Sequence, residues 1–214
     1  MADNMTPRLY HIYHTYFRHD YVVSAADKTP LFFTENSTWT PRKPDLTIHE
    51  GTDKKGAILA TVKFAHFSRR SKVSLGDPAD LRHTTWEDLI GKGICHSRFN
   101  WQMQVEKDGV PNRSSFVWKS TSRVGVGNTR PSRLSSNNYK LVDAQTGQVL
   151  AAFTNSGHKS LDKDGKLEIY PSYGRDFDMM VLATILSIVE RQRRESSGDG
   201  GGGDGGGGGG GGGC

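Results

Sequence analysis

The sequence contains little cysteine, and none of its apolar runs is long enough to cross a membrane. Its two cysteines, Cys95 and Cys214, cannot form a disulfide framework in 214 residues. The amino terminus lacks the apolar core of a signal peptide. The longest apolar run, residues 177–189, would rise only about 20 Å as a helix, against about 30 Å for a bilayer core. These absences predict a protein without a transmembrane span, in the cytoplasm, at the inner face of the plasma membrane, or in the nucleus. We also expect a monomer.

Motifs of the common enzyme classes are also missing. The sequence has no Gly-x-Ser-x-Gly elbow, no Walker loop and no dinucleotide-binding fingerprint. Cys95 and His96 are adjacent, so on a strand they would point to opposite faces and could not exchange a proton. We therefore predict a non-enzymatic binding protein without a cofactor. The alternative is a small hydrolase-like or lipid-modifying enzyme with a pocket that the sequence does not identify.

Two groups of residues resemble metal ligands, but neither has the required geometry. His11 and His14 would face opposite sides of a strand, so they could not share one ion there. Residues 162–165, Asp-Lys-Asp-Gly, are similar to the start of a calcium loop but lack the bidentate acid that should follow. No metal site is predicted.

The charge of the chain is moderately positive. Lys and Arg number 28 and Asp and Glu number 23, which gives a net charge of +5. Two of the acids, Asp199 and Asp204, lie in a glycine tract, so the residues before it are more basic still. This excess favours contact with anionic membrane or nucleic acid, but net charge alone does not distinguish the two.

Short strand-forming runs separated by polar turns make up most of the chain. Gly and Asn/Asp in the turns supply the positive φ that tight hairpins need. Within 101–106, Trp101, Met103 and Val105 alternate with glutamines, which predicts one inward and one outward face. Residues 86–90 are predicted as a short helical turn, and 120–136 as a long loop. The predicted hairpins cover residues 21–34, 46–67, 101–119, 139–153 and 163–170.

The apolar run near the end of the folded part predicts a buried helix. Asp176 is placed to cap its amino terminus, and Arg191, Arg193 and Arg194 are placed in its last turn. Within residues 177–189 the polar side chains are few (Asp178, Thr184 and Ser187), so the helix must be covered on nearly every side. A closed sheet can enclose such a helix and also removes edge strands. We therefore predict a mainly β fold, a closed antiparallel β-barrel of about twelve strands around one C-terminal helix.

The order of hairpins followed by a terminal apolar helix resembles the tubby C-terminal-like superfamily. The resemblance lies in VDAQTGQVLAAF, HEGTDKKGAILATVKF and DFDMMVLATILSIVERQRR, and the nearest branch is that of small LURP-one-related proteins. It implies a barrel domain over residues 9–194, with its helix at about 176–194. Residues 1–8 are expected to be flexible, and 195–214 to be a disordered glycine-rich tail. The resemblance also implies binding of a phosphoinositide or membrane surface, or of a protein partner, without catalysis.

Two basic clusters are candidate binding sites. The first follows the AILATVKFAHF segment and is the predicted headgroup site, because alternating Lys and Arg can clamp phosphates. The second lies in the irregular segment, where interleaved Phe116 and Trp118 could stack on bases, which gives nucleic acid as a third and weaker hypothesis. For both clusters a plain solvated charged surface is the competing interpretation. The first cluster comprises Lys63, His66, Arg69, Arg70 and Lys72, and the second Arg113, Lys119, Arg123, Arg130 and Arg133.

Overall fold

The computed structural model describes most of the chain, and its twelve strands form a closed barrel around one helix. The described residues are 6–15, 19–37, 40, 43–65, 68–80, 84–92, 97–107, 109–127, 131, 137–155, 163–170 and 173–198. The helix is α1 (Arg175–Gly198). The strands are β1 (Arg8–His14), β2 (Tyr21–Ser24), β3 (Pro30–Asn36), β4 (Leu46–Glu50), β5 (Ile58–Phe64), β6 (Arg70–Leu75), β7 (Trp86–Lys92), β8 (Arg98–Lys107), β9 (Val110–Ser120), β10 (Tyr139–Asp143), β11 (Val149–Asn155) and β12 (Lys163–Ile169).

The strands follow one another around the barrel in chain order. Each pairs antiparallel with the next, and β1 pairs with β12, which closes the sheet. Closure satisfies the backbone groups that an edge strand would expose. The predicted fold class is confirmed.

The barrel is filled by α1, as its composition predicts. Met180, Leu182, Ile185 and Ile188 are each at most 2% exposed. Burial of four such side chains contributes roughly 6–12 kcal/mol of hydrophobic stabilisation before the entropic cost of folding. No helix in the described part of the chain is long and apolar enough to traverse a bilayer.

The polar side chains of α1 are matched by partners on the barrel wall. Thr184 Oγ1 accepts a hydrogen bond from the indole N–H of Trp118 at 3.0 Å. The Ser187 hydroxyl lies 3.1 Å from that of Ser71. A buried polar group without a partner would cost about 1–3 kcal/mol, so these bonds fix the rotation of the helix inside the barrel.

The carboxyl-terminal half of α1 is anchored by one buried carboxylate. Glu190 is fully buried, and it accepts hydrogen bonds from Tyr21 (2.6 Å), Arg193 (2.9 Å) and Arg194 (2.7 Å). Arg194 also donates to Asp45 at 2.8 Å. Although burial acts to raise the pKa of Glu190, the hydrogen bonds and charges of these partners hold it below its usual value.

Three local predictions were wrong. Residues 86–90 belong to strand β7, where buried Leu89 points inward and the pattern alternates. The helix begins at Arg175, so Asp176 lies in its first turn instead of capping it. The helix continues to Gly198, beyond the predicted end at 194, so the arginines at 191, 193 and 194 do not occupy its last turn. The remaining tail, 199–214, lies outside the described residues.

A candidate anion-binding groove on the outer face

The first predicted cluster lies on the outside of β5 and β6. Lys63 and Lys72 are exposed and directly opposite each other in the β5–β6 register. The ammonium of Lys63 lies 4.9 Å from the centre of the Trp86 ring on β7. Arg70 begins β6, and Arg69 immediately precedes it. His66 lies outside the described residues. The structure therefore brings most of this cluster to one side of strand β7.

On the other side of β7 four cations form one continuous row. Lys92 of β7 pairs with Arg98 of β8, Arg98 pairs with Lys119 of β9, and Lys119 pairs with Lys140 of β10. The sequence neighbours of Arg98, Lys119 and Lys140 are at most 2% exposed and fill the interior: Phe99, Trp118, Tyr139 and Leu141. Side chains alternate along a strand, so these three cations point outward, and Lys92 points outward with them because it lies directly opposite Arg98. We call these four residues the cation row.

The cation row is electrostatically unfavourable in the isolated protein. Adjacent strands lie about 4.8 Å apart, so four positive charges are distributed over about 14 Å. Like charges directly opposite each other destabilise a sheet, and we take each pair to cost as much as an opposite-charge pair contributes, roughly 0.2–1 kcal/mol. Among the described residues, none of the four forms an ion pair with an acid. Charge of one sign concentrated on a surface attracts ions of the opposite sign.

The cation row borders a cavity in the outer surface. Lys92, Arg98 and Lys119 line a cavity of about 550 Å³ together with Asn100 and Val117. Its walls therefore combine three cations with a side-chain amide and an apolar surface. This is the composition expected of a site for a phosphate or carboxylate group, since cations and N–H donors converge on one space.

A second cavity, of about 450 Å³, continues from the first. Lys92, Asn100 and Val117 line both cavities. The second cavity reaches along β7 to Asp88 and Trp86. Because Lys63 covers the Trp86 ring, the groove formed by the two cavities joins the predicted β5–β6 cluster to the cation row.

The three described residues of the second predicted cluster lie in different surroundings. Arg113 donates two hydrogen bonds to Glu87, at 2.8 and 2.6 Å, so its charge is neutralised locally. Those hydrogen bonds raise the pKa of the Arg113 guanidinium. Lys119 belongs to the cation row, and Arg123 is exposed beyond the end of β9. Arg130 and Arg133 lie outside the described residues.

The aromatic residues of that cluster are not available for stacking on bases. Phe116 and Trp118 are both 0% exposed, and their rings face the interior. Phe116 packs 5.0 Å from Phe177 of the helix, and Trp118 donates to Thr184. The proposed stacking role was wrong, because both residues occupy inward positions of β9.

The histidines that resemble metal ligands in sequence lie near the start of the barrel. His11 is 8% exposed in β1, and His14 stacks on His19 with ring centres 5.3 Å apart. Among the described residues, no three His, Cys, Asp or Glu side chains are placed to share a metal ion. Cys95, His96 and Asp162 lie outside the described residues.

Sequence reasoning missed Lys92, Arg98 and Lys140. They are isolated basic residues on three strands, and no local cluster marks them. One signal was available for Arg98 and Lys140, because each lies next to an inward-facing aromatic or apolar residue and must therefore point outward. Lys92 lies between two glycines and gave no such signal. Their alignment depends on strand register, which the sequence alone does not specify.

Comparison with known proteins shows similarity at the level of structure only. No protein-family model matches the chain, and a search of curated proteins finds no match. The X-ray structure of a protein from Arabidopsis thaliana superposes with a TM-score of 0.48 at 11% sequence identity, and the alignment covers 89% of this chain and 94% of that chain.

Proposed function

We propose that the barrel is a non-enzymatic binding domain of the tubby C-terminal-like type. In this proposal it engages an anionic membrane surface through phosphate-bearing headgroups such as those of phosphoinositides. The phosphates bind at the cation row, and Lys63 and Lys72 extend the basic surface toward the bilayer on the other side of β7. The membrane is the partner, and the interior helix has a purely structural role.

The observation that supports this proposal is the cation row itself. Lys92, Arg98, Lys119 and Lys140 repel one another, and among the described residues none of the four forms an ion pair with an acid. Bringing a phosphate to this surface would relieve the repulsion and form charge-assisted hydrogen bonds. A cation near an anionic membrane surface contributes about 1 kcal/mol to binding, so the four together could supply roughly 4 kcal/mol.

Vesicle sedimentation of the full chain, with and without phosphoinositides, tests the proposal. We expect binding to phosphoinositide vesicles that weakens markedly between 0.1 and 0.5 M salt, because exposed charges are screened over about 10 Å at the lower concentration. Arg98→Gln with Lys119→Gln should reduce partitioning about 30-fold, which corresponds to about 2 kcal/mol for two cations.

A matched variant controls for net charge. Lys54→Gln with Lys55→Gln removes two exposed cations from the turn between β4 and β5, away from the groove. It should leave partitioning within about twofold of the wild type. Equal losses in the two double variants would mean that only net charge matters. Absence of binding by the wild type would refute the proposed function. Arg69→Ala with Arg70→Ala tests the first cluster in the same assay.

A further inference from the structure

One arginine of α1 reaches the turn between β5 and β6 from inside the barrel. Ser187 of the helix lies against Ser71 of β6, with the two hydroxyls 3.1 Å apart. Arg191 follows four residues later, so it lies on the same face of the helix, about one turn farther along. That position brings its guanidinium to the start of β6, where the turn ends.

The guanidinium of Arg191 binds the backbone of this turn. Its Nη1 donates to the carbonyl of Ser68 at 2.7 Å, and its Nη2 donates to the carbonyl of Arg70 at 2.8 Å. The same group lies 4.8 Å from the centre of the Phe64 ring. Because a guanidinium is a rigid planar fork, the two hydrogen bonds fix both carbonyls relative to the helix. A lysine ammonium, a single point of charge, does not impose that geometry.

The neighbouring strands bind the same turn from the other side. The Gly91 amide of β7 donates to the carbonyl of Arg69 at 2.8 Å. The Ala65 amide, just after β5, donates to the carbonyl of Arg70 at 2.9 Å. A Cβ atom at Gly91 would lie 3.1 Å from the Arg69 carbonyl oxygen, so glycine allows the turn to approach β7 closely. The carbonyls of residues 68–70 therefore all accept hydrogen bonds.

The turn held in this way brings the first predicted cluster up to the cation row. Arg70 lies opposite Ile90 in the β6–β7 register, and Lys92 is two residues farther along β7, on the same face. Diagonal neighbours of this kind lie about 7–8 Å apart on a sheet. Arg70 and Lys92 are both exposed. The basic surface therefore continues from the cation row onto β6.

Electrostatics in the isolated protein opposes this arrangement. Arg69 and Arg70 lie beside a row that is already positive, and Arg191 adds another charge behind them. Like charges at such distances repel one another. The hydrogen bonds to the backbone of the turn offset that repulsion and keep the cations assembled before an anion arrives. Preorganisation of this kind strengthens binding, because less conformational entropy is lost when the ligand binds.

Resting on the proposed function, we infer that Arg191 is a positioning residue of the membrane-binding surface. It contacts no headgroup and acts through the turn, which presents Arg69 and Arg70 beside the cation row. The structural role of the helix thus extends to this surface. Without the guanidinium fork the turn gains freedom, and binding must then order two cations that the wild type already holds in place.

Vesicle sedimentation of the full chain tests the inference in the variant Arg191→Lys, which keeps the charge and removes the fork. With phosphatidylcholine vesicles containing phosphatidylinositol phosphate, we expect partitioning to fall about fivefold, the loss expected for one cation near an anionic membrane. Arg8→Lys is the matched control, because Arg8 binds Asp178 at 2.8 Å in the first turn of the same helix. It should partition within about twofold of the wild type, less than the effect of one cation.

A double-mutant cycle separates positioning from a general loss of stability. Arg191→Lys is repeated in a chain that already carries Arg69→Gln and Arg70→Gln. If Arg191 acts through those two side chains, its substitution should have little further effect in this background. A loss that persists undiminished there would overturn the inference, and so would unchanged partitioning of the single variant Arg191→Lys.

Amide hydrogen exchange of the free protein examines the turn without any ligand. The amides of Gly91 and Ala65, which donate to carbonyls of the turn, should exchange faster in Arg191→Lys than in the wild type or in Arg8→Lys. Unchanged exchange at both amides would contradict the inference while leaving the proposed function intact. If the wild type does not bind the vesicles, the proposed function fails, and the inference fails with it.

Discussion

Neutralising the centre of the cation row should make the protein more stable and less able to bind. Arg98 lies directly opposite Lys92 on one side and Lys119 on the other, so it takes part in two repulsive pairs. Lys140, at the end of the row, takes part in one, because its other neighbour is Ala152. Arg98→Gln keeps a long polar side chain and removes only the charge.

The expected gain follows from the number of pairs removed. Each like-charge pair directly opposed on a sheet costs roughly 0.2–1 kcal/mol, so Arg98→Gln should raise the free energy of unfolding by about 0.4–2 kcal/mol. Lys140→Gln should give about half of that gain. Both gains should shrink as salt rises to 1 M, where charges are screened over about 3 Å.

Urea unfolding monitored by tryptophan fluorescence at low and high salt measures the effect. A change in stability alone shifts the urea concentration at the midpoint of unfolding. It leaves unchanged the slope of the unfolding free energy against urea concentration. Lys54→Gln, in an exposed turn, is the control and should shift the midpoint little. If Arg98→Gln destabilises the protein, or stabilises it equally at 1 M salt, then repulsion within the row is not significant and the argument for an anion site fails.

Two further predictions concern the anchor of the helix. Glu190→Gln leaves Arg193 and Arg194 without their buried anionic partner, and urea unfolding should show a loss of about 3–5 kcal/mol; a loss below about 1 kcal/mol would contradict the anchoring role. Burial, followed by the charge of Arg193, lowers the pKa of His14 from 6.5 to about 4, so the folded state resists protonation there. Uncharged His14 therefore contributes its full share to stability above pH 6.5, and this contribution is lost as pH falls toward 4. Allowing for its half-exposed position, wild type should lose about 1–2 kcal/mol over this window relative to His14→Gln. Parallel pH profiles of the two proteins would refute this assignment.

An opposing group affects the same pH profile. Desolvation raises the pKa of Asp178 from 3.8 to about 6, against the influence of Arg8, which binds it at 2.8 Å. The folded state therefore holds a proton more readily than the unfolded chain between pH 4 and 6. Asp178 thus favours folding as pH falls, opposite in sign to His14. Comparison with the His14 variant isolates the histidine, because Asp178 is common to both proteins.

Apolar patterning predicted the fold because burial depends on the residues themselves. The run from Phe177 to Val189 is apolar on nearly all sides and can be stable only when enclosed, and Met180 and Ile185 are enclosed as expected. Alternation at Trp101, Met103 and Val105 likewise predicted which side chains point inward, and all three are buried. These features require no knowledge of partners distant in sequence.

Patterning was insufficient where local and tertiary preferences compete. Residues 86–90 were predicted as a helical turn from local composition, but pairing with β6 at five positions makes them a strand. Phe116 and Trp118 were predicted as exposed stacking residues because basic residues surround them in sequence. Whether they point inward or outward depends on the alternation of side chains along β9, a long strand that begins at Val110.

The sequence by itself determined a barrel threaded by its last helix and a surplus of positive charge. Only the tertiary structure decided where that charge gathers. Lys92, Arg98, Lys119 and Lys140 meet because four strands pair in one register, and a shift of a single residue would turn alternate side chains to the other face. Register is set jointly by turns and by the packing of the core, so residues far apart in sequence become neighbours only when the whole sheet closes.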